Sequence, residues 1–551
     1  MKLHKTVAGL RPGRSRFDNS YYKTFDCEMG TLYPIMCDLY LPGDHVKIGS
    51  EVLVRMNPLI APIMHRIDIK AEYFAVPLNI MWPKPIYYDE DGNDMYPGEQ
   101  DPGSWQEFIT GGVKGKYGSD TVHPHPKWIP TNNSGLYSLW DYFGFPLGKI
   151  LNDGIAPWPK RAYNICYNEY YRAQDYIDPV EVDSEELRKR CYEKDYFTSA
   201  LIELQRGIAP SVPLTGQGGL LFENDNIGEL TLAGFTIAGS SPASNNPSSY
   251  QSLNTHTRRP EVGTYPAIPV QDLIVKPGEG LLNAKINMEN VSTFELRDLR
   301  WIAQIQKHLE RSMRSGARYA EHIQAHWSVN TGDARIHRPE FIGSVRQPII
   351  ISEVLQTSRT EDGQNPQGTM AGHGISAANF NVGSYYCRDY MVIIGLMSIV
   401  PKPAYQQGIN RQWLYKDRFD YPTPELVNVG EQEIFNSEIM VTADESWNKG
   451  IFGYQGRYDE HRIKHNMVCG RIRNDAPQSL GFWQLARLFD ENNPPILNKE
   501  FLEINDDVRY LAVQKEADGS NVKPFIVTYG NRIRRTAPLP VQGTPGLLDH
   551  H

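Results

Sequence analysis

The chain has 551 residues, of which 40% are hydrophobic and 22% charged, so it can bury a large core and is not intrinsically disordered. Its formal net charge of −9 excludes a bulk nucleic-acid-binding protein, so any such binding must be local. The six cysteines are scattered without a Cys-x-x-Cys pair, which predicts neither a disulfide framework nor a zinc site.

The chain begins with a basic segment. Its first acidic residue is Asp18, and five cations precede it: Lys2, Lys5, Arg11, Arg14 and Arg16. This pattern predicts a basic, poorly ordered N-terminal arm over residues 1–20. The first residues lack the apolar stretch that a signal peptide needs.

Strand patterns follow at once. Residues 46–54 and 67–76 alternate apolar and polar side chains, which is typical of strands with one buried face. A short link containing Asn57 and Pro58 joins them, so we expect two neighbours in an antiparallel sheet. Residues 83–135 are rich in Pro, Gly, Asp and Asn and predict a long surface loop.

Two helices are predicted in the middle of the chain. Tyrosines and a cysteine spaced three to four apart indicate a helix over residues 160–174. A capping box at residues 292–295 (STFE) and the apolar stripe after it predict a helix over residues 292–315, ending at Gly316. Residues 214–290 between them are rich in Gly, Ser, Asn and Pro, which predicts a long surface insertion.

Strand patterns return after residue 340, at residues 349–354, 390–400, 508–513 and 523–533. The apolar run at residues 391–400 is too short to span a bilayer, so we expect a buried strand and no membrane insertion. Strands therefore come from both ends of the chain. This favours a mainly β protein with one sheet system rather than domains in series.

No motif supports catalysis or cofactor binding. Residues 110–117 lack both the first glycine and the final Ser/Thr of a phosphate-binding loop, and residues 372–377 (GHGISA) are interpreted as a glycine-rich loop. His322 and His326, like His461 and His465, have helical spacing without the glutamate of a zinc protease, which favours structural roles. We therefore expect no enzyme, no metal and no cofactor.

Several peptides, in order along the chain, resemble those of Microviridae major capsid proteins of the gokushovirus type. They are residues 57–66 (NPLIAPIMHR), 72–77 (EYFAVP), 105–112 (WQEFITGG), 195–201 (DYFTSAL), 339–343 (PEFIG), 353–358 (EVLQTS), 370–376 (MAGHGIS), 404–409 (AYQQGI), 417–421 (DRFDY), 453–458 (GYQGRY) and 538–545 (PLPVQGTP). The resemblance implies a single eight-stranded viral jelly roll, made of two antiparallel sheets with long loop insertions and a few helices. It also implies a T=1 shell of sixty copies, built from pentamers, around a circular single-stranded DNA genome.

The same resemblance implies an organisation and a set of partners. Residues 21–213 form the first part of the jelly roll, residues 214–290 a protrusion at the three-fold axis, and residues 291–551 the remainder. The expected partners are further copies of the chain, the packaged DNA, a small basic DNA-binding protein, an internal scaffolding protein and a bacterial surface receptor. We expect the protein in the virion, assembled in the cytoplasm of the bacterial host.

Three groups of residues are candidates for these contacts. DNA is expected to meet the N-terminal cations, with Arg532, Arg534 and Arg535, and nearby rings such as Tyr21, Tyr22 and Tyr529 offer base stacking. Tyr405, Arg411 and Trp413 are expected at contacts between subunits, where aromatic and arginine side chains dominate. Protrusion contacts are expected from Leu220, Leu221, Phe222, Leu230, Leu232 and Phe235.

Two alternatives come from other classes. A jelly-roll carbohydrate-binding protein would also be rich in strands, with Trp82, Trp105, Trp128 and Trp140 as candidates to line a sugar site. A glycoside hydrolase would need two carboxylates roughly 5–10 Å apart across one cleft.

Overall fold

The computed structural model describes residues 13–82, 105, 125–130, 134–210, 219–223, 283–287, 296–315, 318–328, 338–355, 370–506, 511 and 522–541. The chain divides into two compact units, one of Met1–Arg206 with Glu310–His551 and one of Gly207–Leu309.

The strands, in chain order, are β1 (Ser15–Asp18), β2 (Tyr21–Cys27), β3 (Tyr33–Tyr40), β4 (His45–Met56), β5 (Ile67–Pro77), β6 (Gly219–Glu223), β7 (Asn283–Asn287), β8 (Glu340–Pro348), β9 (Ile350–Leu355), β10 (Met370–Tyr386), β11 (Met391–Pro401), β12 (Ala404–Tyr405), β13 (Glu431–Phe435), β14 (Ile451–Gly456), β15 (Asn466–Met467) and β16 (Phe525–Ala537). The α-helices are α1 (Leu78–Met81), α2 (Leu139–Tyr142), α3 (Trp158–Cys166), α4 (Leu296–Ser315), α5 (Tyr319–Trp327), α6 (Asn436–Ile439), α7 (Glu445–Asn448), α8 (Asp459–Arg462) and α9 (Lys499–Leu502). Short 3₁₀ helices lie at Arg411–Trp413, Pro424–Val429, Gly470–Ile472 and Gly481–Trp483.

The larger unit is built on two antiparallel sheets. One has the order β1–β16–β4–β10–β9, with β2 also paired to β16, and the other has the order β3–β11–β5–β8. Successive long strands alternate between the two sheets, except that β5 and β8 pair within the four-stranded sheet. This is the connectivity of a jelly roll, so the predicted fold class is confirmed. With β1 and β9 included, the two sheets contain ten described strands rather than the expected eight.

Two local expectations are wrong. The strands at His45–Met56 and Ile67–Pro77 form as predicted, but they lie in opposite sheets instead of pairing. Their apolar faces meet across the core, and alternation alone does not reveal which sheet a strand joins. Residues 372–377 are not a loop but part of β10. Gly374 lies against Met56, where a Cβ would approach the Met56 Cβ to 2.9 Å, so glycine here permits close packing.

The N-terminal segment is more structured than expected. Ser15–Asp18, inside the predicted arm, form strand β1 and pair with the end of β16. Because β2 pairs with the earlier part of β16, β1 and β2 together occupy one edge of the sheet.

The two sheets differ in what covers their outer faces. Strand β11 is buried throughout, as expected for its continuous apolar sequence. Its inner face joins the core between the sheets, and its outer face packs under α3, where Val392, Ile394 and Leu396 cluster with Trp158 and Tyr163. In contrast, β4 and β16 alternate between buried and exposed side chains, so the outer face of the six-stranded sheet is open to solvent.

The predicted helices are found with modified ends. The first begins at Trp158 and continues beyond Cys166 as a π-helical turn over Tyr167–Tyr171. The second is α4, and its predicted capping box and Gly316 lie outside the described residues, as does most of the strand predicted at residues 508–513.

The smaller unit contains the predicted insertion. Its strands β6 and β7 pair in antiparallel register, which the irregular sequence of residues 214–290 did not indicate. No helix in the described ranges is long and apolar enough to cross a membrane.

Candidate nucleic-acid interface and subunit contacts

The open face of the six-stranded sheet carries a row of cations. Arg532 and Arg534 alternate with buried residues along β16, so both point to solvent. Arg534 is paired in register with Lys47 of β4 and with Asp18 of β1. The exposed Arg55 and Arg16 lie further along β4 and β1.

Three acidic residues share this face, and two of them are engaged locally. Hydrogen bonds from Ser20, and then the nearby Arg534, lower the pKa of Asp18. Glu51 accepts a hydrogen bond from the Tyr22 hydroxyl at 3.0 Å and lies 3.4 Å from Nε of Arg532. The third is the half-buried Asp26. Among the described residues, this face therefore carries five cations and three acids, although the whole chain is negative.

Glycines let two side chains lie close against this sheet. A Cβ at Gly530 would lie 2.7 Å from the Tyr22 ring, and a Cβ at Gly49 would lie 3.1 Å from the Arg532 guanidinium. Tyr22 is nevertheless 69% exposed. Exposed aromatic rings and arginine side chains are the groups on which unpaired bases stack. We call this surface, with Tyr22, Lys47, Arg55, Arg532 and Arg534 at its centre, the cationic face.

The structure separates the C-terminal candidates. Arg532 and Arg534 lie on the cationic face, but Arg535 does not. Its Nη2 atom lies 2.5 Å from the fully buried Asp44, and its guanidinium packs over the Tyr40 ring, so Arg535 stabilises the fold. Asp44 is remote from Arg535 in the sequence, so no local pattern indicates this ion pair.

Of the three tyrosines proposed for base stacking, only Tyr22 is available. Tyr529 is fully buried in the core. Tyr21 is half-buried, and its hydroxyl donates to Asp38 at 3.2 Å. Arg14 is exposed and lies 6.0 Å from the Tyr386 ring centroid, whereas Lys2, Lys5 and Arg11 lie outside the described residues.

The predicted subunit-contact residues also differ in exposure. Tyr405 is 3% exposed, and its hydroxyl donates to Asp195 at 2.9 Å. Arg411 pairs with the buried Glu438 at 3.1 Å and lies over the Phe435 ring. Trp413 is 75% exposed. Tyr405 is therefore not available for contact with another subunit, Arg411 is mostly committed within the chain, and Trp413 is free to make such a contact.

The predicted protrusion residues are only partly located. Leu220, Leu221 and Phe222 lie in β6, but their side chains are outside the described set, as are Leu230, Leu232 and Phe235 entirely.

The four tryptophans proposed for a sugar site are core residues instead. Trp82, Trp105, Trp128 and Trp140 are at most 7% exposed. They pack as two pairs, with ring centroids 5.5 Å apart for Trp82 and Trp105 and 5.0 Å apart for Trp128 and Trp140. Buried rings cannot form the open platform that a carbohydrate needs.

The histidine pairs do not assemble a metal centre. His322 and His326 lie on α5, with ring centroids 4.4 Å apart. His465 packs on the Phe197 ring, and His461 contacts the Tyr415 hydroxyl. In the described part of the chain, no group of three or more His, Cys, Asp and Glu side chains is placed to hold a metal ion.

A jelly roll with long loop insertions is a common fold of viral shell proteins. Residues 6–547 match the family of phage capsid proteins described as "Capsid protein (F protein)", and the chain belongs to this family. The predicted resemblance is thereby confirmed.

Curated relatives cover nearly the full length. The chain is 30% identical to capsid protein VP1 of Chlamydia phage 1, over 97% of this chain and 96% of the relative. It is 27% identical to VP1 of Bdellovibrio phage phiMH2K (95% and 96%) and 26% identical to VP1 of Spiroplasma virus 4 (94% and 92%). These are Microviridae phages. The chain is a structural, non-enzymatic capsid protein that self-assembles and is located in the virion.

Proposed function

We propose that sixty copies of the chain form a T=1 shell around a circular single-stranded DNA genome, with the cationic face turned toward the DNA. The observation that carries this orientation is the difference between the two sheets. Helix α3 and its neighbours cover the four-stranded sheet, whereas the six-stranded sheet presents exposed Arg532, Arg534 and Lys47.

The chemistry of the cationic face suits single-stranded DNA without sequence preference. Arginine binds two phosphate oxygens through its planar fork and does not read bases in this way. The Tyr22 ring and the Arg532 guanidinium lie side by side, so a base can stack on the ring while the guanidinium meets the adjoining phosphate. The basic residues Lys2, Lys5, Arg11, Arg14 and Arg16 add further phosphate contacts, and Arg16 lies on the edge strand β1.

The cationic face cannot neutralise the genome by itself. Each copy has a net charge of −9, so a complete shell has the same sign as the DNA. Cations or a small basic DNA-binding protein therefore supply the remaining positive charge. Assembly takes place from pentamers in the bacterial cytoplasm with an internal scaffolding protein.

Trp413 is the proposed contact residue between subunits. Trp413 is exposed. The ion pair of Arg411 with Glu438 and the hydrogen bond of Tyr405 to Asp195 anchor the segment that leads to it. Truncation of Trp413 to Ala therefore impairs particle formation more than folding. Normal particle yield from this variant contradicts the placement.

Residues 214–290, which lie within the compact unit of residues 207–309, are proposed as the host-attachment protrusion at the three-fold axis. The support is that this unit is separate and compact and that a long surface insertion costs little closure entropy. Three copies around the axis can bury Leu220, Leu221, Phe222, Leu230, Leu232 and Phe235 against one another. A bacterial surface receptor is its expected partner.

Salt-dependent binding of oligo(dT) to unassembled subunits tests the cationic face. Each lost phosphate contact lowers the slope of log affinity against log salt by about 0.7 for single strands. We expect such a loss for Arg532→Gln and for Arg534→Gln, and none for Arg388→Gln, an exposed arginine in the turn between β10 and β11. Equal slopes for all three variants contradict the proposal.

A further inference from the structure

Residues 414–429, which we call the ridge, display apolar side chains to water. They follow the 3₁₀ helix that ends at Trp413 and include the 3₁₀ helix Pro424–Val429. Four ridge side chains are large, apolar and exposed: Phe419 (53%), Tyr421 (59%), Val427 (36%) and Val429 (66%). Apolar side chains that are exposed together on one segment mark a candidate interaction surface.

Polar contacts within the chain hold the ridge in one conformation. The Tyr415 hydroxyl donates to the buried Glu460 and lies 3.0 Å from His461, and its ring meets the Tyr421 ring edge-on at 5.3 Å. The Asp420 carboxylate accepts the backbone N–H groups of Lys416 and Asp417, both at 2.9 Å, and these bonds lower its pKa. An ordered segment pays little conformational entropy when it docks.

The ridge also borders two hollows. One, of about 440 Å³, lies beside Leu414, Tyr415 and Asp420 and extends to Phe435 and Val441. The other, of about 470 Å³, lies beside Val427 and Gly430 and extends to Arg314, Arg457 and Arg462. An exposed apolar segment next to concave surfaces can supply both halves of an interlocking contact.

The charge of the ridge indicates what covers it. Its charged side chains are the cations Lys416 and Arg418 and the acids Asp417, Asp420 and Glu425, so their charges nearly cancel. A nearly neutral, apolar surface does not favour a polyanion, which the cationic face suits better. A second copy of the same chain, in contrast, is present at high local concentration in a shell and can bring both an apolar segment and a matching hollow.

We infer that the ridge is a subunit-contact element: Phe419, Tyr421, Val427 and Val429 of one copy pack against a second copy of the chain in the assembled particle. This rests on the proposed shell. The proposed contact between subunits then includes the ridge as well as Trp413. The partner of the ridge is another copy of the chain, whereas the partner of the cationic face is DNA.

Photo-cross-linking identifies the occupant directly. The probe is p-benzoylphenylalanine, placed at Tyr421 or, as the matched control, at the 45% exposed Tyr386 of β10. In purified particles, we expect the Tyr421 probe to give cross-linked dimers of the full chain and the Tyr386 probe to give no such dimers at comparable yield. Cross-links from Tyr421 to DNA or to another protein, or none, overturn the inference.

Substitution supplies an independent readout. We expect Phe419→Ser with Tyr421→Ser to lower particle yield on a sucrose gradient by about tenfold, because central aromatic contacts carry much of an interface's energy. The melting temperature of the unassembled subunit should stay near that of the parent, since both side chains are already exposed. Undiminished particle yield contradicts the inference. If particles that carry the probe at Tyr421 assemble normally but give no cross-linked dimers, the inference about the ridge is wrong and the proposed shell is unaffected.

Discussion

The Tyr73 hydroxyl, in β5 of one sheet, donates a hydrogen bond to the Tyr529 hydroxyl, in β16 of the other, at 3.0 Å. Both side chains are fully buried, and burial raises the pKa of each phenol. Asn531 adds to the link, since its Oδ1 lies 3.3 Å from the Tyr73 hydroxyl and its side-chain amide donates to the Ile35 carbonyl at 2.8 Å. A polar bridge therefore crosses an otherwise apolar core.

We predict that the Tyr73 and Tyr529 hydroxyl groups do not contribute independently to the free energy of unfolding. Tyr73→Phe should cost about 1–2 kcal/mol of unfolding free energy, because the Tyr529 hydroxyl loses a buried partner. Tyr529→Phe in addition should cost less than the sum of the two single changes, because the pair is then removed together. Urea unfolding of the unassembled subunit measures this cycle, with the exposed Thr24→Ala as a control. Strictly additive effects contradict the coupling.

A glycine in β11 permits the ring of Tyr73 to reach its position. A Cβ at Gly395 would lie 2.8 Å from the Tyr73 ring and 3.1 Å from Ile35. Gly395→Ala should therefore destabilise the subunit by about 1–3 kcal/mol through overpacking. Gly383→Ala is the matched control, since its Cβ would come no nearer than 3.4 Å to a neighbour. Equal melting temperatures for the two variants would show that the core can relax around Gly395.

A cluster of charged side chains outside the four-stranded sheet should make the free energy of unfolding depend on pH in the acidic range. Burial alone raises the pKa of Glu193, but hydrogen bonds from Lys402 and Lys70 outweigh it and lower the pKa from 4.5 to about 2. A lowered folded-state pKa gives stability that is fully present above pH 4.5 and is lost as the pH falls toward 2.

Glu193→Gln tests this dependence. The variant should be less stable than the parent at pH 7, and the difference should shrink as the pH falls through this window. Denaturant unfolding at a series of pH values measures the difference, with the exposed Glu186→Gln as the control. A difference that stays constant with pH rules out the ionised Glu193 as its source.

Deletion of the insertion separates assembly from attachment. Replacing about residues 215–288 with a short Gly-Ser linker should leave particle formation largely intact, because closing a surface loop costs little entropy. Adsorption of the particles to the host bacterium should be abolished. Particle counts and adsorption assays on the same preparation measure both effects. Loss of particles would place the insertion in the shell itself, and normal adsorption would remove its attachment role.

The sequence predicts most clearly those features that local pattern determines. The continuous apolar run at residues 391–400 predicts a doubly buried strand, and the family peptides predict the jelly roll. The placement of β4 and β5 in opposite sheets could not be predicted. Alternation shows that a strand has one buried face, but it does not show which other strand pairs with that strand.

In the candidate site, too, a local pattern predicts some features, and contacts remote in sequence determine the others. Alternation along β16 is enough to place Arg532 and Arg534 on one face. The Tyr405 hydroxyl donates to Asp195, and Arg535 pairs with Asp44, and both partners are remote in sequence. The close approach of the Tyr22 ring to the sheet requires a glycine at position 530, more than 500 residues away. Such contacts are set by the tertiary fold and leave no local pattern.

An icosahedral reconstruction of purified particles by electron cryomicroscopy would locate the cationic face and the DNA in one map. We expect sixty copies in which the cationic face points inward, with nucleic-acid density against Tyr22, Arg532 and Arg534. Density for the six-stranded sheet on the outer surface, or with this face sealed against another subunit, would contradict it.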